Sequence, residues 1–217
     1  RHLDARIMES PSLAIESVDR EIVNMGNLAV NHLSIAMDAL LSKSVKKIKT
    51  VRKMEETMDK LAQLITEYLV NISNLSLTME QHLHINMLLN TVNDVERIGD
   101  HCDNIGELAE RYCKEEGEFS DKAVKGLKKM YAKTIEGTES AMVARATGDL
   151  EAVEITMTNE ELVDIMEIEL RKEHVKRLSK KLCSTKTGVI YLDVLTNLER
   201  ISDHAMNIAE YVQEERG

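Results

Sequence analysis

The string ERIGDH at residues 96–101 recurs as ERISDH at residues 199–204, a shift of 103 positions. The same shift relates two heptad seams that turn from apolar to small residues at three matching steps: Gly99 and Ser202, Cys102 and Ala205, and Gly106 and Ala209. Small seam residues let helix backbones approach closely, whereas glycine is otherwise unfavourable inside a helix. The sequence therefore predicts an internal duplication, with a junction segment at 1–11, a first three-helix repeat at 12–116 and a second at 117–217.

Helical periodicity runs through nearly the whole chain and is divided by capping signals. Ser10, Ser120 and Asp149 are typical N-cap residues, Thr78 begins a capping-box pattern, and Gly148 suits the left-handed end of a helix. We expect five helices over about 11–41, 45–71, 79–113, 121–147 and 150–182, then a loop at 184–188 and a sixth helix to the C-terminus. Long helices joined by short loops pack as antiparallel bundles. We therefore predict an all-α fold of six long helices in two tandem three-helix bundles.

Composition and charge narrow the class of protein. Of 217 residues, only 3% are aromatic, one is proline and nine are glycine, which disfavours a β-sandwich or barrel. The net charge of −10 argues against a nucleic-acid partner, and the lysine-rich stretch at 43–53 is interpreted as a solvated helix face. Three cysteines without C-x-x-C spacing indicate reduced thiols in a cytoplasmic protein. No apolar run reaches the roughly 18 residues of a membrane helix.

Acidic pairs spaced by four residues recur at matching places in the two repeats. On a helix this spacing places both carboxylates on one face, one turn apart. The pairs are Glu55 with Asp59 and Glu96 with Asp100 in the first repeat, and Glu160 with Asp164 and Glu199 with Asp203 in the second. Like charges at this spacing repel, so a compensating cation is expected. Carboxylates from two helices form a hard oxygen site that suits iron, manganese, magnesium or calcium.

Two other interpretations of these residues stay open, and one is excluded. The acids could pair with Arg97, Arg200 and nearby lysines on wet helix faces, without any metal. The histidines within the two strings, His101 and His204, are expected to pack or to support ligands instead of binding metal themselves. A ferritin-type di-iron oxidase would need Glu-x-x-His pairs, and no histidine here has a glutamate three residues earlier. Because the sequence also contains no phosphate loop or nucleophile elbow, we expect no catalytic residues and no enzyme activity.

The strings NDVERIGDHCDNI at 93–105 and TNLERISDHAMNIAEYV at 196–212 resemble the signature of the PhoU family. The resemblance covers about residues 12–217 and implies a six-helix fold whose acidic pairs hold multinuclear iron or zinc. It assigns one site to Glu55, Asp59, Glu96 and Asp100, and the other to Glu160, Asp164, Glu199 and Asp203. Family members restrain phosphate uptake and signalling through transporters and sensor kinases, so these are the partners it implies.

Residues 3–26 resemble the junction that follows the membrane part of bacterial sodium/phosphate cotransporter-like proteins. This resemblance implies a metal-binding regulatory domain at the cytoplasmic face of the membrane, fused to such a transporter. A free-standing regulator of phosphate uptake and signalling, and a purely structural helical adaptor without metal, remain the alternatives. The first helix also carries more aliphatic residues than one narrow stripe needs, which indicates either a homodimer contact or a wider core.

Overall fold

The computed structural model describes residues 10–216, which form six α-helices. The helices are α1 Pro11–Ser42, α2 Val45–Ser73, α3 Met79–Lys114, α4 Asp121–Thr147, α5 Leu150–Ser179 and α6 Thr185–Arg216. The predicted all-α fold of six long helices is confirmed. The junction segment predicted at 1–11 lies almost entirely outside the described residues.

All five predicted cap residues stand at the ends of their helices, and all but Ser10 make capping hydrogen bonds. Thr78 and Gln81 make a complete capping box, in which the Gln81 N–H donates to Thr78 Oγ1 at 3.1 Å and the Thr78 N–H donates to Gln81 Oε1 at 3.0 Å. Ser120 and Asp149 accept from the first turns of α4 and α5, and Gly148 ends α4 at φ 68°. Ser10 is the N-cap residue of α1 with Pro11 at the first helical position, as predicted, but its side chain makes no capping hydrogen bond. The proline that follows presets the backbone there.

The connection between α5 and α6 differs from the prediction. Helix α5 ends at Ser179 instead of near Leu182, and α6 begins at Thr185 instead of after Gly188. Gly188 was interpreted as a loop residue, but it lies inside α6, where a Cβ would meet Leu178 Cδ2 at 2.6 Å. Close packing of α5 on α6 therefore explains this glycine, whereas a turn does not.

The two helix triplets are related by a pseudo-two-fold axis. Contacts join α1, α2 and α3 to one another and α4, α5 and α6 to one another, while α3·α6 and α1·α4 join the triplets. Helices α3 and α6 are antiparallel, since Asp94 meets His204 while Asn197 meets His101. A shift of 105 relates α1 and α2 to α4 and α5, and a shift of 103 relates α3 to α6. Residues near one end of a helix in the first repeat thus have their counterparts near the other end of the molecule, whereas residues close to the axis, such as His101 and His204, lie beside their counterparts.

A polar network lies on this axis, between α3 and α6. His204 Nδ1 donates to Asp94 Oδ1 at 2.7 Å, and Tyr211 donates to Asp94 Oδ2 at 2.9 Å. The counterpart of Asp94 is Asn197, whose Oδ1 accepts from His101 Nδ1 at 2.9 Å. The two imidazoles stack with centroids 5.6 Å apart. Both histidines thus pack and hydrogen-bond across the helix pair, as expected.

Helix α1 contacts α2, α3 and α4, and this explains most of its aliphatic surplus. Ile15, Val18, Ile22 and Leu40 are buried, whereas Leu28 is 38% exposed. The wider-core interpretation thus accounts for the pattern. The homodimer stays a prediction.

The seam glycine Gly106 yields a test of the close approach between α2 and α3. A Cβ at this position would lie 2.6 Å from Val51 Cγ1, so the neighbouring helix must shift. Alanine is better than glycine inside a helix by about 1 kcal/mol, but overpacking costs about 1–3 kcal/mol. We expect Gly106→Ala to lower the free energy of unfolding by about 1–2 kcal/mol in guanidinium titrations. The same change in a Val51→Ala background should cost less, and equal costs in both backgrounds would contradict the packing explanation.

Candidate metal centre

Three carboxylates of the first repeat converge on one point between α2 and α3. Glu55 and Asp59 come from α2, one turn apart, and Asp100 comes from α3. One oxygen of each lies within 4.8 Å of the others. The close approach at the seam places them there: a Cβ on Gly99 would lie 3.4 Å from Glu55 Oε2. One predicted pair and one residue of the other, on adjacent helices, therefore share one cluster.

The second repeat contains the equivalent cluster between α5 and α6. It consists of Glu160 and Asp164 from α5 and Asp203 from α6, and one oxygen of each again lies within 4.8 Å of the others. All three are partly exposed, whereas Asp59 of the first cluster is exposed. The duplication thus provides two separate clusters of the same residue types.

Glu96 and Glu199, the remaining predicted site residues, lie beside the clusters without joining the three-oxygen sets. Burial, then repulsion from Asp203, raises the pKa of Glu199 to about 7. Burial, then repulsion from Asp100, raises the pKa of Glu96. Both glutamates therefore feel the charge of the neighbouring cluster.

Each cluster has an additional acidic neighbour that the sequence analysis missed. Asp103 lies one turn after Asp100, and its pKa is raised by burial and then by repulsion from Glu107. Glu167 adjoins the second cluster, where it repels Asp164, and it forms an ion pair with Arg171. The counterpart of Asp103 is Met206 and that of Glu167 is Ala62. Neither acid therefore belongs to a pair that is matched between the repeats. The i,i+3 spacing from Asp100 and from Asp164 was the available signal.

One buried carboxylate oxygen in each cluster lacks a hydrogen-bond partner, which is where a cation would be expected. Glu55 Oε2 and Asp164 Oδ1 are buried without a hydrogen-bond partner among the described residues. Burial, then repulsion from Asp59 and the acids of α3, raises the pKa of Glu55 from 4.5 to about 8. A buried anion without a partner is costly, and a bound cation removes that cost. The donor set therefore fits a hard metal ion.

The alternative of arginine pairing applies to only part of each cluster. Arg97 Nη1 lies 3.2 Å from Asp100 Oδ2, and Arg200 lies within 3.7 Å of both Glu199 and Asp203. These arginines are 64% and 58% exposed, so the pairs contribute little. No lysine or arginine of the described chain forms an ion pair with the α2 and α5 members of the clusters.

A buried histidine distinguishes the first cluster from the second. His32 of α1 donates from Nε2 to the Val51 carbonyl at 3.1 Å, and its Nδ1 lies 3.7 Å from Glu55 Oε2. Burial lowers the pKa of His32 to about 4, so the imidazole is neutral. Its counterpart in the second repeat is Gly137. The two clusters therefore have different surroundings despite the duplication.

The raised pKa values predict how the metal-free protein responds to pH. A carboxyl whose folded pKa exceeds its unfolded value contributes stability that is lost as pH rises through the folded pKa. For Glu55 and Glu199 this window runs from 4.5 up to about 8 and about 7. In chelator, the free energy of unfolding should therefore be lower at about pH 9 than at about pH 6.

Urea titrations of Glu55→Gln check this expectation. At about pH 9 in chelator the variant should be more stable than the parent by about 1–3 kcal/mol, because no buried charge remains. Exposed Glu56→Gln is the matched control and should leave stability unchanged. A Glu55→Gln protein no more stable than the parent would contradict the electrostatic description.

Comparisons with known proteins place this architecture among described folds. A family model described as "PhoU domain" matches residues 22–109 and 127–212, one match in each helix triplet. The crystal structure of PhoU from Pseudomonas aeruginosa superimposes with a TM-score of 0.89 at 23% identity, covering 94% of this chain and 98% of that one. At this identity the superposition shows a shared fold.

Two kinds of relative are similar in sequence. The phosphate-specific transport system accessory protein PhoU homolog 1 of Thermotoga maritima is 26% identical over 193 residues, covering 88% of this chain and 82% of the relative. The putative inorganic phosphate export protein YjbB of Salmonella typhimurium is 21% identical over 217 residues, covering 99% of this chain but only 40% of that protein. Within residues 10–216, no helix has the length and apolarity that a membrane span requires.

Proposed function

The chain belongs to the PhoU domain family, and we propose that it acts as an accessory or regulatory protein of phosphate transport. The observation that carries the proposal is the match of the family model to both repeats, at residues 22–109 and 127–212. The names of the relatives support it, since they describe an accessory protein of a phosphate transport system and a putative phosphate exporter. The expected partner is a phosphate transporter, with a sensor kinase as the route to gene expression. The proposal assigns no catalytic step to the chain.

The regulatory role would be exercised by a metal-loaded protein. Glu55, Asp59 and Asp100 would hold a cation in the first repeat, and Glu160, Asp164 and Asp203 would hold one in the second, with Glu96 and Glu199 beside them. Bound metal would compensate the carboxylate charges and link α2 to α3 and α5 to α6. The family resemblance favours iron or zinc, and the all-oxygen donor set fits iron better. Elemental analysis of protein purified without chelator identifies the metal.

An accessory protein that acts with a separate transporter agrees better with the comparisons than a domain fused to one. The match to the Thermotoga maritima accessory protein covers 82% of that relative, whereas the match to YjbB covers 40% of the exporter. The fused arrangement is the second candidate, because the YjbB match extends over 99% of this chain. The upstream coding sequence discriminates between them, since repeated hydrophobic spans there would support the fusion.

Deletion of the coding region tests the regulatory function. We expect altered phosphate uptake and altered phosphate-responsive gene expression, both restored by the wild-type protein supplied separately. Complementation with a variant lacking Glu55, Asp100, Glu160 and Asp203 asks whether the metal clusters are needed. Unchanged uptake and unchanged expression after deletion would refute the proposal. Full complementation by the cluster variant would instead favour a structural helical adaptor that needs no metal.

A further inference from the structure

Three helix connections lie together at one end of the molecule. Because the helices alternate in direction, the α1–α2 connection, the α3–α4 connection and the α5–α6 connection share this end. A contact between connections supports this, since Lys43 Nζ donates to the Glu115 carbonyl at 3.4 Å. Likewise, a Cβ on Gly117 would lie 2.9 Å from Thr187 Oγ1 at the start of α6. We call this the basic end and define it by segments 43–53, 122–129 and 171–186.

The basic end is positively charged although the chain as a whole carries −10. Segments 43–53 and 122–129 contain lysine and arginine but no acidic residue, and segment 171–186 contains a single acid, Glu173. The α3–α4 connection and the start of α4 oppose this charge with Glu115, Glu116, Glu118 and Asp121, and Glu118 pairs with Lys43 at 3.8 Å. Three further acids outside the segments pair with basic-end residues: Asp38 with Lys47, Glu110 with Arg52 and Glu167 with Arg171. These seven acids are still outnumbered by the basic residues of the defined segments. The molecule is therefore strongly polarised along its long axis.

The duplication supplies an internal control for this polarisation. The counterpart of segment 43–53 is 148–158, which contains acidic residues and no basic ones. The counterpart of 122–129 is 17–24, with Asp19, Arg20 and Glu21, and the counterpart of 171–181 is 66–76, with Glu67 as its one charged residue. Since the same backbone forms with either charge, the fold does not require the lysines. Their restriction to one end indicates a separate role.

Exposed aliphatic side chains stand among these lysines at the tips of two connections. Val45 is 60% exposed beside Lys43 and Lys46, and Leu182 is 69% exposed beside Lys180 and Lys181. Basic residues interspersed with aliphatic ones are the composition that adsorbs to an anionic lipid surface and inserts shallowly into it. The aromatic rings near this end, Tyr112 and Phe119, are buried, so bases of single-stranded nucleic acid would find no stacking platform there.

We propose that the basic end docks this protein on an anionic membrane surface. The charge on a membrane acts only within a Debye length of roughly 8–10 Å. The helices are 27–36 residues long, or about 40–54 Å, so the acidic remainder points away beyond that range. Docked in this way, the first acidic cluster would stand roughly 20 Å above the lipid, because Asp59 lies fourteen residues along α2 from Val45. The proposal is independent of metal binding and of the phosphate-transport function.

Co-sedimentation of the full chain with synthetic vesicles tests the proposal. The probes are phosphatidylcholine vesicles with and without about 30% phosphatidylglycerol, at low and moderate salt. We expect binding only to the anionic vesicles, weakening steeply as salt rises. The test variant is K46E/K180E, and the control is R20E/K60E, which makes the same change in net charge outside the basic end. All four positions are exposed, so the variants should fold, which circular dichroism checks.

The two variants distinguish binding through the basic end from a general effect of net charge. Each basic residue near an anionic surface contributes about fivefold to the binding constant, so K46E/K180E should bind at least about 25-fold more weakly than the parent. R20E/K60E should bind within about threefold of the parent. Absence of binding to anionic vesicles would overturn the proposal in favour of an acidic protein partner. Equal losses in the two variants, equal binding to neutral vesicles, or tighter binding to duplex DNA than to vesicles would also overturn it.

Discussion

Replacing Glu55 and Asp100 together with alanine should remove the metal of the first repeat and leave that of the second, lowering bound metal by about half. The two residues come from different helices, α2 and α3, and their oxygens lie within 4.8 Å of each other and of Asp59. Without them, one carboxylate of the three remains, which is too few for a hard cation in competition with water. The double replacement Glu160→Ala and Asp203→Ala should have the same effect on the second repeat, and the four changes together should abolish binding.

Elemental analysis of protein purified without chelator measures this outcome. The matched control is Glu56→Ala with Glu161→Ala, since these acids adjoin cluster residues in sequence and are exposed. Glu96→Ala answers a separate question: unchanged metal content would restrict the site to three carboxylates, and a loss would add the fourth. If the four-residue variant folds and still retains its metal, the clusters are not the binding sites. Because the removed carboxylates repel one another, that variant should also be more stable than the parent in chelator.

Replacement of Arg145 with leucine should have the largest effect on stability, a loss of about 3–5 kcal/mol in the free energy of unfolding. The Arg145 side chain is only 6% exposed. Its Nη1 donates to Glu215 Oε1 at 2.9 Å and its Nη2 donates to Asp19 Oδ2 at 3.3 Å. These bonds, with one from His84, hold the pKa of Glu215 below its ordinary value although burial acts to raise it. Removing the arginine leaves the largely buried Asp19 without its cation and Glu215 with only His84 as an ion-pair partner.

The first repeat shows what could replace this ionic cluster. The counterparts of Asp19, Arg145 and Glu215 at the other end of the molecule are Val124, Leu40 and Tyr112. The triple variant D19V/R145L/E215Y should therefore recover most of the stability that the single variant loses, because a packed apolar set can substitute for a buried ion cluster. Guanidinium titration of the parent and both variants measures the difference. A triple variant no more stable than R145L would show that the two ends differ in packing as well as in charge.

The helices could be predicted because their signals are local. The Thr78 capping box and the αL glycine Gly148 act within one turn of chain, and both formed as expected. The α5–α6 connection could not be predicted in the same way. Gly188 looks like a turn residue in sequence, but its role is to admit Leu178 of the preceding helix. A contact between residues on two helices leaves no mark in the local pattern.

The same distinction between local pattern and helix packing explains which residues of the candidate metal centre could be predicted. Matched pairs in the duplicated sequence identified all six residues whose oxygens converge, from Glu55 to Asp203. They also included Glu96 and Glu199, which lie beside the clusters, because spacing on one helix says nothing about how that helix is rotated against its neighbour. Asp103 and Glu167 were missed for the opposite reason, since their counterparts Met206 and Ala62 carry no charge.

The sequence by itself determined the helices, the duplication and the family, because periodicity, caps and repeated strings are properties of the chain order. Only the tertiary structure decided which carboxylates meet, since that depends on the approach of α2 to α3 at Gly99 and Gly106. It also decided the charge polarity. Segments 43–53 and 171–186 are far apart in sequence, and the antiparallel packing of long helices brings them to one end, where their charges act together.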